Sequence, residues 1–300
     1  MTTAMSRFAR TLSSGRFALT AECLPPRSFT PDALKALSAE LPPGLDAVVV
    51  PDNPDEIRGS SLACAALLAG EGRESVLSLA TRDRNRIALE SDALGAAALG
   101  IRAILCLSGN HQSSGSSPQA AGAYDIDSIQ LAQALKSMSR DGVGANGRRL
   151  VSKPDLTLGA IAHPSLRPLD LNMLRIRKKI SSGVDFLLTE AVFDLSGFAL
   201  WMDSVRTAGM DRQVAILASV LPLEGAERAR DLQKRKTYGP IPEAVIARLG
   251  EASDPVGEGV SMAAEVAAGL KSIPGVRGIH ILSGGCESLA AKVIEEAGLP

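Results

Sequence analysis

Phe17-Ala-Leu-Thr-Ala-Glu22-Cys-Leu-Pro-Pro26 is the stretch that decides the architecture of this chain. Residues 17–23 are an apolar run of strand length, closed by a carboxylate and then two prolines. A doubly wound nucleotide-binding sheet follows its first strand with G-x-G-x-x-G, whose bare backbone cradles a pyrophosphate at a helix N-terminus. Glu22-Cys23-Leu24-Pro25-Pro26 has no glycine and lacks two backbone donors, so it cannot form that cradle.

Working outward, seven further apolar runs lie at 47–50, 76–79, 103–106, 157–161, 186–189, 215–220 and 279–282. Their nearly continuous apolar character fits parallel strands covered on both faces. Segments of helical period separate them. The helix expected at 31–40 starts after Thr30, an N-cap type, with proline in its first turn. Others fall at 60–68, 84–99, 127–139, 171–181, 195–208 and 255–271, and 287–297 closes the chain. In 84–99 the spacing puts Ile87, Leu94 and Ala98 near one face, and Gly100 ends the helix. Eight βα units with short connections predict an α/β fold, a (β/α)8 TIM barrel, as a single domain over 1–300. Residues 1–16 are basic and serine-bearing without the apolar core of a secretory signal. They are expected to form an amphipathic helix with Phe8 and Leu12 closing the barrel floor; composition alone leaves a transit peptide open. Loops are mostly short, with 110–124 and 141–154 the clearest exceptions.

Composition narrows the partners. A net charge of −1 over 300 residues leaves no basic footprint for nucleic acid or an anionic membrane. No apolar run approaches the roughly 20 residues that cross a bilayer, and a cytoplasmic protein is expected. Cys23, Cys64, Cys106 and Cys286 are scattered, and the three histidines form no metal-binding spacing, so neither a disulfide framework nor a metal site is expected.

Barrel active sites lie at the carboxyl ends of the strands. There the sequence places Glu22, Asp52, Asn53, Arg82, Asp83, Ser108 to His111, His163, Glu190, Ser219 and Ser283 to Gly285. Glu22 ends an apolar strand, so its carboxylate should enter the barrel mouth. Burial would raise its pKa toward that of a general acid; a salt bridge to Arg27 or Arg82 is the alternative, and both readings stay open.

The residues 17–27 (FALTAECLPPR) resemble the opening strand of methylenetetrahydrofolate reductases. Later segments of that family resemble Thr81-Arg-Asp-Arg-Asn-Arg86, Ile104-Leu-Cys-Leu-Ser-Gly-Asn110-His-Gln and Leu187-Leu-Thr-Glu190-Ala-Val-Phe-Asp194. The four motifs fall in order on strands one, three, four and six, and the likeness extends over most of the chain. The resemblance implies a barrel holding FAD at the strand ends, with NADH, NADPH or another donor reducing it. It implies reduction of 5,10-methylenetetrahydrofolate to 5-methyltetrahydrofolate in one-carbon metabolism and methionine biosynthesis. Glu22 matches the family's general acid, which opens the imidazolidine ring to an iminium. Ser108, Gly109 and Asn110 match a flavin-contacting loop whose last residue, usually aspartate, also touches the pterin. His163, Lys178 and Lys179 look like contacts to FAD, and Glu190 matches a glutamine that contacts folate and nicotinamide.

This chain departs from that pattern. Asn110 removes a charge and Glu190 adds one, which suggests that Glu190 supplies the charge Asn110 lacks. Pro51 replaces a nicotinamide-contacting threonine, Ala80-Thr81 a Thr-Cys pair, and Ser283-Gly-Gly285 lacks an arginine found in some relatives. The resemblance also implies a homo-oligomer, and an additional electron-delivering or zinc-binding subunit. Two other readings remain: a divergent paralogue that binds a pterin or flavin as a methyltransferase-associated subunit, and a phosphate-binding lyase or isomerase suggested by Ser283-Gly-Gly285.

Overall fold

The structure is a computed structural model describing residues 5–27, 30–235 and 238–300. Eight strands, β1 Ala18–Glu22, β2 Ala47–Val50, β3 Ser75–Ala80, β4 Ala103–Leu107, β5 Thr157–Ala162, β6 Phe186–Ala191, β7 Ala215–Val220 and β8 Val276–Ile281, close into one barrel in chain order. Every neighbouring pair is parallel, including β1 against β8, where Ala18 faces Gly278 and Thr20 faces His280. The TIM barrel expected from the apolar runs is therefore the observed fold.

Eleven helices occur among the described residues: α1 Arg7–Ser14, α2 Pro31–Glu40, α3 Ser61–Gly70, α4 Arg86–Ala98, α5 Ser128–Arg140, α6 Leu169–Ser181, α7 Leu195–Thr207, α8 Ala226–Arg235, α9 Glu243–Glu251, α10 Pro255–Lys271 and α11 Leu289–Glu296. Two of these, α8 and α9, lie in a stretch where the sequence pattern predicts no element. One face was misread. Ile87, Leu94 and Ala98 of α4 point to solvent, while Leu89, Ala93 and Ala96 pack on the barrel. Two of the three buried positions are alanines, so the larger Ile87 and Leu94 dominate the apolar period although they are exposed.

Alternation along the strands divides the core in two. Outward residues meet the helices in one continuous cluster. Inward residues form a separate core in which Ala18, Ala47, Val76 and Ala103 leave room for the large Phe186 ring. That ring explains Gly159 on β5, since a Cβ there would sit 2.2 Å from Phe186. From below, Phe8 of α1 enters the barrel fully buried and meets Phe186 edge to face, centroids 5.2 Å apart at 81°. Asp46, buried at the start of β2, anchors this plug. It accepts from Leu19 N at 2.9 Å and Thr11 Oγ1 at 3.0 Å, and pairs with Arg16.

With Phe8 filling the floor, the end of the barrel left open among the described residues is the opposite one. There α8 and α9 fold back over the ends of β6, β7 and β8, burying Leu221, Leu232, Tyr238, Ile246 and Leu249 in a third apolar cluster.

Candidate active site

A cavity of ≈ 590 Å³ opens at the carboxyl ends of the strands, within the size range of small-molecule sites. Glu22 is the third inward residue of β1, after Ala18 and Thr20, so strand parity turns it into this cavity. Its Oε1 accepts the Tyr238 hydroxyl at 2.9 Å, the Ser283 hydroxyl at 2.9 Å and the Ser283 N–H at 3.2 Å. Neither arginine considered from sequence pairs with it. Arg27 is bound to Glu56 at 2.8 Å and Arg82 to Asp83 at 2.7 Å. Burial pushes the carboxyl up from 4.5 to about 7; the bonds from Tyr238 and Ser283 moderate that rise, and buried Glu287 adds to it. The carboxyl is therefore set to take up and release a proton near neutral pH.

Arg82 stitches the next three strand ends together. Its guanidinium donates to Asn110 O at 3.1 Å and Asn53 O at 2.8 Å, and its own carbonyl accepts Ala123 N at 2.7 Å. Asp52 takes Ala80 N at 2.8 Å and pairs with Arg84. Asp83, through Arg82, organises this loop rather than facing the cavity. Gly109 adopts φ 79°, and a Cβ there would lie 3.0 Å from the Arg82 Cβ, so the loop needs glycine to lie this close. Ser108 Oγ is 3.1 Å from Ser128 Oγ at the start of α5. The Asn110 side chain, held by its backbone, has no hydrogen-bond partner among the described residues and lines the cavity.

On the far wall, Glu190 meets its partners locally. Oε1 accepts Ser165 N at 2.8 Å and the Ser165 hydroxyl, and Oε2 lies 3.4 Å from His163 Nδ1. Burial raises this carboxyl, but those bonds outweigh it and hold it below its ordinary value. No hydrogen bond joins Glu190 to Asn110 among the described residues. Asn110, on the loop after β4, and Glu190, near the end of β6, line one cavity, and Glu190 already accepts two hydrogen bonds from Ser165 of the β5 loop.

Lys179 and Lys178 separate. Lys179 lines the cavity, its Nζ donating to Ile161 O, and burial together with Arg175 brings it down to about 8. Lys178, about 100° further round the helix, is exposed to solvent and outside the cavity. Arg175, one helical turn before Lys179, takes the place on the wall that Lys178 does not, and the i, i+4 rule could have found it. Sequence reasoning also missed Tyr238, which arrives from the loop after α8, and His280. His280 follows the inward parity of β8; it is buried, bonded through Nδ1 to Thr20 Oγ1 at 3.0 Å, and burial takes it down to about 3. Ser219 is fully buried between β6 and β7, donating to Thr189 O at 2.6 Å, and serves the bulge there.

Fold and site thus define a parallel α/β barrel whose mouth cavity is lined by a buried carboxyl of raised pKa and three basic side chains, Arg82, Arg175 and Lys179. A family model described as methylenetetrahydrofolate reductase matches residues 7–298, and the chain belongs to that family. Methylenetetrahydrofolate reductase 2 of Saccharomyces cerevisiae is 35% identical over 63 residues, 20% of this chain and 10% of that protein. The chain thus matches about a tenth of the length of that relative. A Clostridium thermocellum protein whose structure binds two copies of 5-methyl-5,6,7,8-tetrahydrofolic acid superposes with TM-score 0.68 at 14% identity, over 96% of both chains. A 2,3-dimethylmalate lyase superposes with TM-score 0.53 at 13% identity, over 98% of this chain and 86% of that one. At these identities the superpositions establish the fold alone.

Proposed function

We propose that this chain reduces 5,10-methylenetetrahydrofolate to 5-methyltetrahydrofolate with a bound flavin, Glu22 acting as the acid. The single observation that carries the reading is the Glu22 carboxyl: buried, without a cation partner among the described residues, and poised near 7 at the wall of a ligand-sized cavity. Opening the imidazolidine ring needs a proton on a ring nitrogen, and an acid poised near the working pH delivers it best. Asn110, on the loop after β4, and Glu190, near the end of β6, would orient the pterin from the cavity wall.

The donor set fits FAD. Arg175 and Lys179 stand together on the α6 wall, and each would be relieved of the other's charge by a pyrophosphate between them. Ser108, Gly109 and His163 supply polar contacts around the same cavity. When bound, the flavin supplies the hydride; the protein's own task is to orient, exclude water and move the proton. The reading carries a cytoplasmic place in one-carbon metabolism and a homo-oligomer. NADH, NADPH or an electron-delivering partner subunit would complete the cycle.

The altered charges at Asn110 and Glu190 favour a second reading, a paralogue that binds the pterin or flavin without reducing it. Glu22→Gln separates the two. The enzyme should lose roughly 10²- to 10⁴-fold in folate-linked flavin oxidation with 5-methyltetrahydrofolate affinity little changed. A wild-type protein that binds both ligands with no electron transfer between them would establish the binding paralogue instead.

A further inference from the structure

All three hydrogen bonds to Glu22 fall on one oxygen. Oε1 accepts from the Tyr238 hydroxyl, the Ser283 hydroxyl and the Ser283 N–H, whereas Oε2 has no partner among the described residues. We infer that Tyr238 is a positioning residue whose phenol, with Ser283, makes Oε1 the acceptor oxygen and so keeps the acidic proton on Oε2, facing the cavity. This rests on the proposed role of Glu22 as the acid.

The argument is one of hydrogen-bond capacity. A neutral carboxyl has one O–H donor and one carbonyl acceptor. Placing the proton on Oε1 would oblige one of the two hydroxyls to accept it and turn its own proton away, and Ser283 Oγ already accepts from Gly285 N at 3.1 Å. On Oε2 it opposes nothing and points where a substrate nitrogen can take it. In the transfer the Oε2–H bond breaks, the substrate N–H bond forms, and the carboxylate keeps the electron pair. The three donors on Oε1 then stabilise that anion, because a bond to the charged form favours it.

Tyr238 is held firmly enough to do this. Its ring is buried in the apolar cluster that α8 and α9 close over the barrel. Its carbonyl accepts Ala191 N at 3.0 Å, tying the segment to the end of β6. The next residue, Gly239, has φ 98°, and a Cβ there would lie 3.0 Å from Glu190 Oε2. One short segment thus touches the acid with its hydroxyl and the opposite wall with its backbone. Burial and neighbouring Glu22 hold the phenol well above its ordinary value, so it remains a donor across the working pH range.

The test is titration of Glu22 in the ligand-free protein, followed by its infrared carboxyl band with the Glu22→Gln spectrum subtracted. Tyr238→Phe keeps the ring and should move the titration up by roughly one pH unit. 3,5-Difluorotyrosine at 238, a stronger donor, should move it down. Opposite displacements cannot come from a purely structural role. A Glu22 titration unmoved by either change overturns the inference while leaving the acid in place. A wild-type titration near 4.5 overturns the acid itself. As no flavin or folate is present, a protein lacking reductase activity still gives a decisive answer about Tyr238.

Discussion

Replacing Glu22 with glutamine should change how stability depends on pH, and the size of the change follows from the structure. The folded carboxyl is raised from 4.5 to about 7, first by burial. Its contribution to stability is therefore complete below pH 4.5 and lost as pH rises through 7, because the unfolded chain ionises without penalty and the folded one does not. The gap, at about 1.4 kcal/mol per pH unit, comes to about 3 kcal/mol. Glutamine keeps the shape and cannot ionise. Urea unfolding of both proteins at intervals from pH 4.5 to 8.5 isolates Glu22 together with its coupling to buried Glu287, since the remaining titrating groups are common to both. The wild type should lose about 3 kcal/mol relative to the variant across that range. Any disruption of the Tyr238 and Ser283 bonds adds a constant offset. Parallel curves would refute the claim that burial holds this group protonated.

Three further outcomes are expected. Phe8→Ala, which empties the barrel floor against Phe186, should cost about 3–5 kcal/mol in chemical denaturation; a loss under about 1 kcal/mol would mean α1 is not a plug. His280, brought down to about 3 by burial, should show no imidazole titration between pH 8 and 4 by nitrogen NMR, and a midpoint near 6.5 would contradict its enclosed position. Asn110→Asp and Glu190→Gln should be additive in turnover within about 0.5 kcal/mol, because Glu190 is engaged by Ser165 and His163. Recovery of activity in the double variant would show instead that the two charges exchange roles.

The strands were legible because a parallel barrel writes each of them as a continuous apolar run. Only their ends were blurred: β8 begins three residues early, at Val276, because Arg277 and Gly278 interrupt its run, and β6 continues past Thr189 through the charged Glu190 to Ala191. The helices α8 and α9 left a weaker mark. α8 is AERARDLQKR, burying only Ala229 and Leu232, and α9 begins after a Pro-Ile-Pro break. Without them Tyr238 could not be placed, as nothing local says that a tyrosine 216 positions away meets Glu22. Glu22 itself was readable from strand parity, but its surroundings were not. Whether a carboxyl meets Arg82 or Tyr238 is decided by which loops close over it. Lys178 and Lys179 were separable in principle by helical geometry, and only the second shares a wall with Arg175.

The most direct measurement of the central claim is the visible absorption spectrum of the purified protein with FAD under anaerobic conditions, before and after 5-methyltetrahydrofolate. The account predicts a perturbed, bound-flavin spectrum that the folate bleaches in the wild type and barely alters in Glu22→Gln. A protein that FAD cannot reconstitute, or a bound flavin indifferent to the folate, would contradict it.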